Sequence, residues 1–279
     1  MPAPAADAFW DLVDGVLVVN LDNRPERWQQ VQSGIGTRVP DGKLQRLSAT
    51  LGTALPGYGK PPWFLGHKRD RTWAGRAGCT LSHRAAIEQA QQAGWRTLLI
   101  LEDDLEPVPD LDVVLTALPA ALRDHPWDVC YLGFTNPVLP CHRLTELPNG
   151  HALYRVSGCS TTHAYLLRDT TFDWLLGKLP EPTVIWRWIS RHRAIDRWYY
   201  RNLARRFTVC AVSPSVINQQ GGFSDITRRE HERNYMTAVP GDCSGATGFR
   251  LRGALRWLQF RLAEPRDWLR GWIKQARGF

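Results

Sequence analysis

The chain has 279 residues, of which 43% are hydrophobic and 22% are charged, and these are values of a globular protein rather than a disordered one. No stretch approaches the roughly 18 consecutive apolar residues that span a bilayer, and no basic segment precedes an apolar run at the N-terminus. We therefore expect a cytoplasmic protein with neither a membrane span nor a secretory signal. Residues 250–279 carry +6 of the net charge of +8, so the rest of the chain lacks the basic surface of a nucleic-acid-binding protein.

Short apolar runs alternate with helical patterns through the first half of the chain. The run GVLVVNL has the continuous apolar pattern of a parallel strand buried on both faces, and Pro25 suits the first turn of a helix. In chain order, we predict a strand over 15–21, a helix from Pro25 to Gly34 or Gly36, a strand over 44–50, a long surface loop over 52–73, a helix from Thr80 or Ser82 to Gly94, and a strand over 97–101.

The second half continues the alternation. In chain order, we predict a helix over 110–123, a strand over 127–134, a Pro-rich loop over 135–150, a strand over 156–168, helices over 170–179 and 194–205, and a strand over 206–214. Strands that alternate with helices are typical of an α/β fold, with a parallel or mixed sheet covered on both faces. We assign residues 8–245 to one catalytic domain and residues 246–279 to a tail.

Three consecutive acids follow the strand over 97–101, in the sequence LLILEDDLEP. Clustered carboxylates at the end of a buried strand repel one another unless a cation lies among them. Ligands of open α/β sheets bind at the carboxyl ends of strands, where carboxylate oxygens suit Mg²⁺ or Mn²⁺ bound to a substrate phosphate. The acids alone leave two interpretations open, a metal site and an exposed acidic loop.

Seven short motifs place these acids in a wider pattern. In chain order they are VVNLDNRPERW, GCTLSHRAAIE, LLILEDDLEP, WDVCYLG, THAYLL, AIDRW and INQQGGFSDI. Together they resemble glycosyltransferase family 25, which includes bacterial lipooligosaccharide galactosyltransferases and collagen galactosyltransferases. The resemblance spans about residues 15–227 and implies a GT-A-like, Rossmann-type fold with a mostly parallel sheet, a UDP-sugar donor, a divalent metal ion and inversion at the anomeric carbon.

The resemblance assigns donor binding to the first strand and the helix after it. Asn20 and Leu21 end the strand where the family is thought to seat the nucleotide. Arg24 and Arg27 lie one helical turn apart, so both are able to face a diphosphate. The alternative for each arginine is a solvated helix surface.

Ser82 and His83 are predicted at the start of a helix, where backbone N–H groups bind anions. Ser82 then either contacts a phosphate or caps the helix, and His83 either orients the substrate or has a structural role. The six cysteines include no CxxC pair, so we interpret them as free thiols. We do not interpret the i,i+4 spacing of Cys79 and His83 as a metal site.

By analogy with the Asp-x-Asp element of GT-A enzymes, Glu102 and Asp104 are the predicted ligands of a Mn²⁺ or Mg²⁺ ion. The first position is Glu rather than Asp, a departure that leaves the metal dependence open. Asp103 is assigned to the donor-binding residues, and in an extended chain its side chain points away from its two neighbours.

An inverting transferase needs a base that takes the proton of the acceptor hydroxyl. Two carboxylates are candidates, Asp196 in RAIDRW and Asp225 in GFSDI. Asp196 is alternatively a surface ion-pair partner of Arg193 or Arg197, and Asp225 follows a Gly-Gly turn suited to a lid. We favour Asp196, and the choice stays open.

The tail alternates basic and apolar residues at helical spacing. Leu251, Leu255, Leu258 and Leu262 share one stripe, and a second stripe follows Pro265. Such basic amphipathic helices either bind an anionic membrane surface or pack on the domain.

These features predict an inverting transferase that moves a hexose, such as galactose, from a UDP-sugar to a saccharide or glycolipid acceptor. We expect it to act in lipopolysaccharide or other surface-glycan biosynthesis, peripherally on the inner face of the cytoplasmic membrane. Two alternatives remain open: a metal-dependent phosphoesterase or nuclease that uses the same acids, and a catalytically silent glycosyltransferase-like scaffold.

Overall fold

A central sheet with helices on both faces organises the protein. The computed structural model describes residues 7–64, 69–224, 229–231 and 245–276. The strands are β1 (Gly15–Asn20), β2 (Leu44–Ser48), β3 (Thr97–Glu102), β4 (Leu105–Pro107), β5 (Val129–Gly133), β6 (Asn136–Pro137), β7 (Cys141–Glu146), β8 (Ala152–Val156), β9 (Cys159–Ser160), β10 (Ala164–Arg168), β11 (Val209–Ser213), β12 (Ile217–Gln219), β13 (Gly222–Ser224) and β14 (Arg229–His231). The α-helices are α1 (Asp7–Leu12), α2 (Pro25–Ser33), α3 (Arg69–Gln92), α4 (Leu111–Asp124), α5 (Phe172–Leu176), α6 (Ile185–His192), α7 (Ile195–Asn202) and α8 (Ala246–Ala276).

The central sheet has eight strands in the order β2-β1-β3-β10-β5-β11-β8-β7. β1 pairs in parallel with both β2 and β3, and β5 pairs in parallel with β11. β10 lies antiparallel between β3 and β5, and β8 lies antiparallel between β11 and β7. Six strands therefore run in one direction and two in the other, which confirms the predicted α/β fold with a mostly parallel sheet.

The sheet separates two hydrophobic cores. Leu17 and Ile100 face a core formed with α3, α5, α6 and α7, whereas Val18 and Leu101 face a core formed with α1, α2 and α4. Because β1 and β3 are buried on both faces, their sequences are continuous apolar runs rather than alternating ones.

Helix α3 begins at Arg69, not at Thr80 or Ser82, and shortens the loop predicted over 52–73. The Thr80 hydroxyl donates a 2.8 Å hydrogen bond to the carbonyl of Arg76, and the Ser82 hydroxyl donates one of 2.8 Å to that of Gly78. Both hydroxyls thus bond back into the helix instead of capping it. The prediction that Ser82 and His83 lie at a helix N-terminus is therefore wrong.

The region from 135 to 168 also differs from the prediction. The predicted loop over 135–150 contains β7, which pairs with β8. The predicted strand over 156–168 is divided, because Gly158 (φ 143°) and Thr161 (φ 65°) adopt positive φ angles that interrupt an extended chain. The sequence prediction also lacks α6.

The tail forms the single helix α8, which is continuous through Pro265. One of its faces packs on the domain, where the Arg201 guanidinium donates a 2.6 Å hydrogen bond to Asp267. Within the described residues, no helix combines the length and the apolar composition needed to cross a bilayer.

Candidate functional site

A cavity of about 390 Å³ opens where β1 and β3 end. Because these strands are parallel neighbours, the side chains that follow them meet at the same edge of the sheet. Helix α3 forms one wall, and the segment that follows β2 forms another. The lining residues are Val19, Leu21, Asn23, Arg27, Thr50, Leu51, Gly52, Thr53, Tyr58, Ala74, Gly75, Cys79, His83, Glu102, Asp103, Asp104 and Gln219.

The segment after β2 lies directly against the backbone of α3. A Cβ atom at Gly52 would overlap the carbonyl of Ala74, and one at Gly78 would overlap the carbonyl of Thr50. The Thr50 amide donates a 2.8 Å hydrogen bond to the Ser82 hydroxyl, which is fully buried. Ser82 therefore joins the segment after β2 to α3 by a hydrogen bond and does not face the cavity.

Asp103 is the carboxylate of the cluster that pairs with an arginine, and its partners offset its burial in part. Asn20 donates a 2.7 Å hydrogen bond to its Oδ2, and Arg27 donates one of 2.9 Å to its Oδ1. Burial raises the pKa of Asp103, and these two partners oppose that effect. Because the chain turns after Glu102 and is not extended there, Asp103 faces the same cavity as its neighbours.

Glu102 ends β3 and contacts a histidine of α3. Its Oε1 lies 3.3 Å from Nε2 of His83 and 3.3 Å from the hydroxyl of Thr162. The other ring nitrogen of His83 lies 2.8 Å from the hydroxyl of Tyr165. Burial alone would raise the pKa of Glu102, but the hydrogen bonds of His83 and Thr162 and the charges of His83 and His163 together outweigh it, so the pKa is lowered. Glu102 is therefore ionised at neutral pH.

Asp104 has no cationic partner at ion-pair distance among the described residues. The side-chain amide of Gln219 lies 3.4 Å from each of its carboxylate oxygens. Burial, followed by the charges of Glu102 and Asp103, raises the pKa of Asp104 to about 7. A divalent cation beside Asp104 would relieve this repulsion, so the site fits the metal ion predicted there.

Cys79, His83 and Glu102 form a second set of potential metal ligands. Their ligand atoms all lie within 4.8 Å of one another, and all three residues line the cavity. A set of sulfur, nitrogen and oxygen atoms suits a transition metal better than Mg²⁺. The i,i+4 spacing of Cys79 and His83 is weak evidence by itself, and nothing in the sequence shows that Glu102 lies opposite them.

The structure brings most of the predicted donor and metal residues together. Leu21, Arg27, His83 and the three acids all line the cavity. Asn20 is buried behind them and acts through its hydrogen bond to Asp103. Arg24 does not line the cavity, and its guanidinium lies 3.6 Å from the Glu26 carboxylate. Of these two arginines, it is therefore Arg27 that faces the cavity.

Of the two candidate bases, the structure describes only Asp196. Asp196 lies in the first turn of α7, where it accepts hydrogen bonds from the backbone N–H groups of Thr161 at 3.1 Å and Arg197 at 2.6 Å. It does not line the cavity, but its charge helps to raise the pKa of the Cys79 thiol, after burial and Glu102. Asp225 lies outside the described residues.

Asn23, Tyr58 and Gln219 are among the lining residues that were not predicted from the sequence. Asn23 follows β1, and Gln219 reaches Asp104 because β12 pairs with β4. Tyr58 comes from the Gly- and Pro-rich loop and packs edge-on against the buried Phe64 at 5.0 Å between ring centroids. An amide residue next to a strand end was the available signal for Asn23, whereas Tyr58 belongs to no periodic pattern.

Comparisons with known proteins add little to this geometry. No protein-family model matches the chain, and no curated protein matches it at a significant level. The solved structure of A197 from STIV is similar over 81% of this chain and 97% of its own, at 12% identity and a TM-score of 0.38. The mannose-1-phosphate geranyltransferase from Thermus thermophilus is similar over 71% of this chain and 72% of its own, at 13% identity and a TM-score of 0.37. Neither likeness is strong enough to bear on function.

Proposed function

We propose that this protein is an inverting glycosyltransferase, similar to family 25, that transfers a hexose such as galactose from a UDP-sugar to a saccharide or glycolipid acceptor. The observation that carries the proposal is the convergence of Glu102, Asp103 and Asp104 on one cavity at the carboxyl ends of β1 and β3. Arg27 balances one of these carboxylates, and the pKa of Asp104 is raised to about 7. A divalent cation bound with a nucleotide diphosphate complements this arrangement.

The metal ion is assigned to Glu102 and Asp104. As a cation, Mn²⁺ or Mg²⁺ supplies the charge that neutralises the leaving diphosphate. Cys79 and His83 lie beside Glu102, and this neighbourhood favours Mn²⁺ over Mg²⁺. Glu102 is common to both sets of potential ligands, so its loss removes either site.

The cavity wall offers contacts for the rest of the donor. Arg27 lines the cavity and donates a 2.9 Å hydrogen bond to Asp103, so its positive charge lies where a diphosphate would bind. Tyr58 presents an aromatic ring supported by Phe64, which suits stacking with the uracil base. Leu21 provides apolar contact at the end of β1.

Asp196 and Asp225 remain the candidates for the base that accepts the proton of the attacking hydroxyl. Asp196 is held by two backbone N–H groups, so its carboxylate is fixed in place at the start of α7. As the base it requires the acceptor to approach from the side of α7, next to Cys79.

One observation favours the alternative of a metal-dependent phosphoesterase. Cys79, His83 and Glu102 would leave one coordination position of a tetrahedral metal open for water, as catalytic zinc sites do. The two functions differ in their products, since a phosphoesterase releases phosphate or a nucleoside monophosphate without an acceptor.

The test is an assay of the full chain with UDP-galactose or UDP-glucose, a panel of saccharide acceptors, and Mn²⁺ or EDTA. We expect UDP release that requires both Mn²⁺ and an acceptor and that Asp104→Asn abolishes. Asp112→Asn is the matched control, because Asp112 forms an exposed ion pair with Arg38 outside the cavity. Hydrolysis without an acceptor would favour the phosphoesterase, and UDP-sugar binding without turnover would favour the scaffold.

A further inference from the structure

Helix α8 carries two stripes on opposite sides. At 3.6 residues per turn, side chains three or four positions apart share a side of the helix. The inner stripe consists of Phe249, Gly253, Arg256, Phe260, Ala263 and Asp267. The outer stripe consists of Leu251, Leu255, Leu258, Leu262 and Leu269.

The inner stripe is fastened to the domain. Arg201 of α7 lies over the ring of Phe260, 5.3 Å from its centroid, and also pairs with Asp267. Arg155 of β8 lies 5.6 Å from the ring centroid of Phe249. Since both ends of this stripe contact the domain, arginine–aromatic contacts and the Arg201–Asp267 ion pair hold this side of α8 against the domain.

The outer stripe faces away from the domain. Leu251, Leu255 and Leu262 are 65%, 62% and 73% exposed, and no described residue covers them. Trp268 and Trp272, beside this stripe, are also more than half exposed. A row of large apolar side chains at helical spacing is costly to leave in water, and such rows mark interaction surfaces.

Basic residues border the outer stripe on both sides. Helical geometry places Arg250 and Arg261 along one border and Arg252 and Arg266 along the other, and all four are exposed. Residues 246–276 contain seven Lys or Arg and two acids, a net charge of +5. Leucines flanked by arginines on both sides match a membrane interface, where the leucines enter the acyl region and the guanidinium groups contact phosphates.

We propose that the outer stripe of α8 docks on an anionic phospholipid membrane, with the helix axis parallel to the surface. A second copy of the chain is a poorer partner, because two facing outer stripes would bring together two helices that each carry +5. Anionic headgroups instead neutralise that charge. The proposal is independent of the reaction that the cavity performs.

Co-sedimentation of the full chain with vesicles tests the proposal. We expect binding to phosphatidylcholine–phosphatidylglycerol vesicles that falls at high salt, and much weaker binding to phosphatidylcholine alone. The variant Leu255→Gln/Leu262→Gln should bind about tenfold more weakly or worse, because two buried leucine contacts are lost. Its thermal unfolding should match wild type, since both leucines are exposed.

Two control variants test whether vesicle binding depends on the outer stripe itself and on the arginines beside it. Val113→Gln changes an exposed apolar residue on α4 and should leave vesicle binding unchanged. Arg250→Gln/Arg266→Gln should weaken binding to anionic vesicles and reduce its salt dependence.

Three results would overturn the proposal. The first is a wild-type chain that stays in the supernatant with anionic vesicles at low salt. The second is unchanged binding of the double leucine variant. The third is a dimer, seen by light scattering without lipid, that the leucine variant converts to a monomer, which would make a second copy the partner of the outer stripe.

Discussion

The acidic cavity and the C-terminal helix differ in chemistry, but each contains side chains with close partners in the protein and side chains without them. In the cavity, Asp103 has Asn20 and Arg27 as partners, whereas the Asp104 carboxylate, among the described side chains, has only the distant amide of Gln219. On α8, the inner stripe packs against arginines of the domain, whereas the outer stripe is exposed. Polar or apolar groups without a close partner, beside groups that have one, are candidates for ligand contact, since stability alone does not require them.

The largest expected effect is the loss of transferase activity when a potential metal ligand in the cavity is removed. Glu102→Ala should lower UDP-sugar transfer by about a hundredfold or more, because Glu102 belongs to both sets of potential metal ligands. The check is the initial rate of UDP release at saturating Mn²⁺, with Asp112→Asn as the control. Transfer close to the wild-type rate would place the metal elsewhere.

Two stability measurements distinguish Asp103, which pairs with Arg27, from Asp104, which pairs with no described cation. In urea unfolding with EDTA, Asp103→Asn should cost about 2 kcal/mol, because Arg27 loses its charged partner in a partly buried position. Asp104→Asn should stabilise the metal-free protein by about 1 kcal/mol, because it removes a charge that burial and two neighbouring carboxylates disfavour. Equal effects of the two variants would contradict the distinction between these carboxylates.

The junction between α6 and α8 should make stability depend on pH. Burial, followed by the charges of Arg191 and Arg201, lowers the pKa of His192 from 6.5 to about 4. Between these values the unfolded chain binds the proton and the folded chain does not, so stability is highest above pH 6.5 and falls as the pH decreases towards 4. The loss should reach about 3 kcal/mol near pH 4. It should be smaller in His192→Asn, when urea unfolding is measured across this range.

The smallest effects should distinguish the two acids of α8. Asp267→Asn should destabilise the protein by about 1 kcal/mol, because the largely buried pair with Arg201 is lost. Glu264→Gln should change stability by less than about 0.5 kcal/mol, because its pairs with Arg205 and Arg261 are exposed to solvent. If Glu264→Gln destabilised the protein more than Asp267→Asn, the inner stripe would not be what holds α8 on the domain.

The sequence predicts the sheet better than it predicts the helices. β1 and β3 are continuous apolar runs because both of their faces are buried, and Pro25 begins α2 as expected. The start of α3 is not predictable from Thr80 and Ser82, because their hydroxyls bond within the helix and their capping preference has no effect there. β7 lies in a Pro-containing segment, and its pairing with β8 is a tertiary contact without a strong local pattern.

The sequence predicts the candidate site best where its residues adjoin strand ends. Glu102, Asp104, Leu21 and Arg27 lie at or after the ends of β1 and β3, so the topology of an α/β sheet brings them together. Cys79 depends on the rotation of α3 about its axis, and Gln219 depends on the pairing of β12 with β4, neither of which the sequence reveals. The direction of the Asp103 side chain depends on the turn after Glu102, which the sequence does not reveal.

Calorimetric titration of UDP into the full chain, with Mn²⁺ and with EDTA, tests most directly whether the acids after β3 hold a divalent ion against a nucleotide diphosphate. We expect UDP to bind with Mn²⁺, and EDTA or Asp104→Asn to weaken binding by about tenfold or more. Equal UDP affinity with and without Mn²⁺, or no binding under either condition, would show that these acids do not hold such an ion.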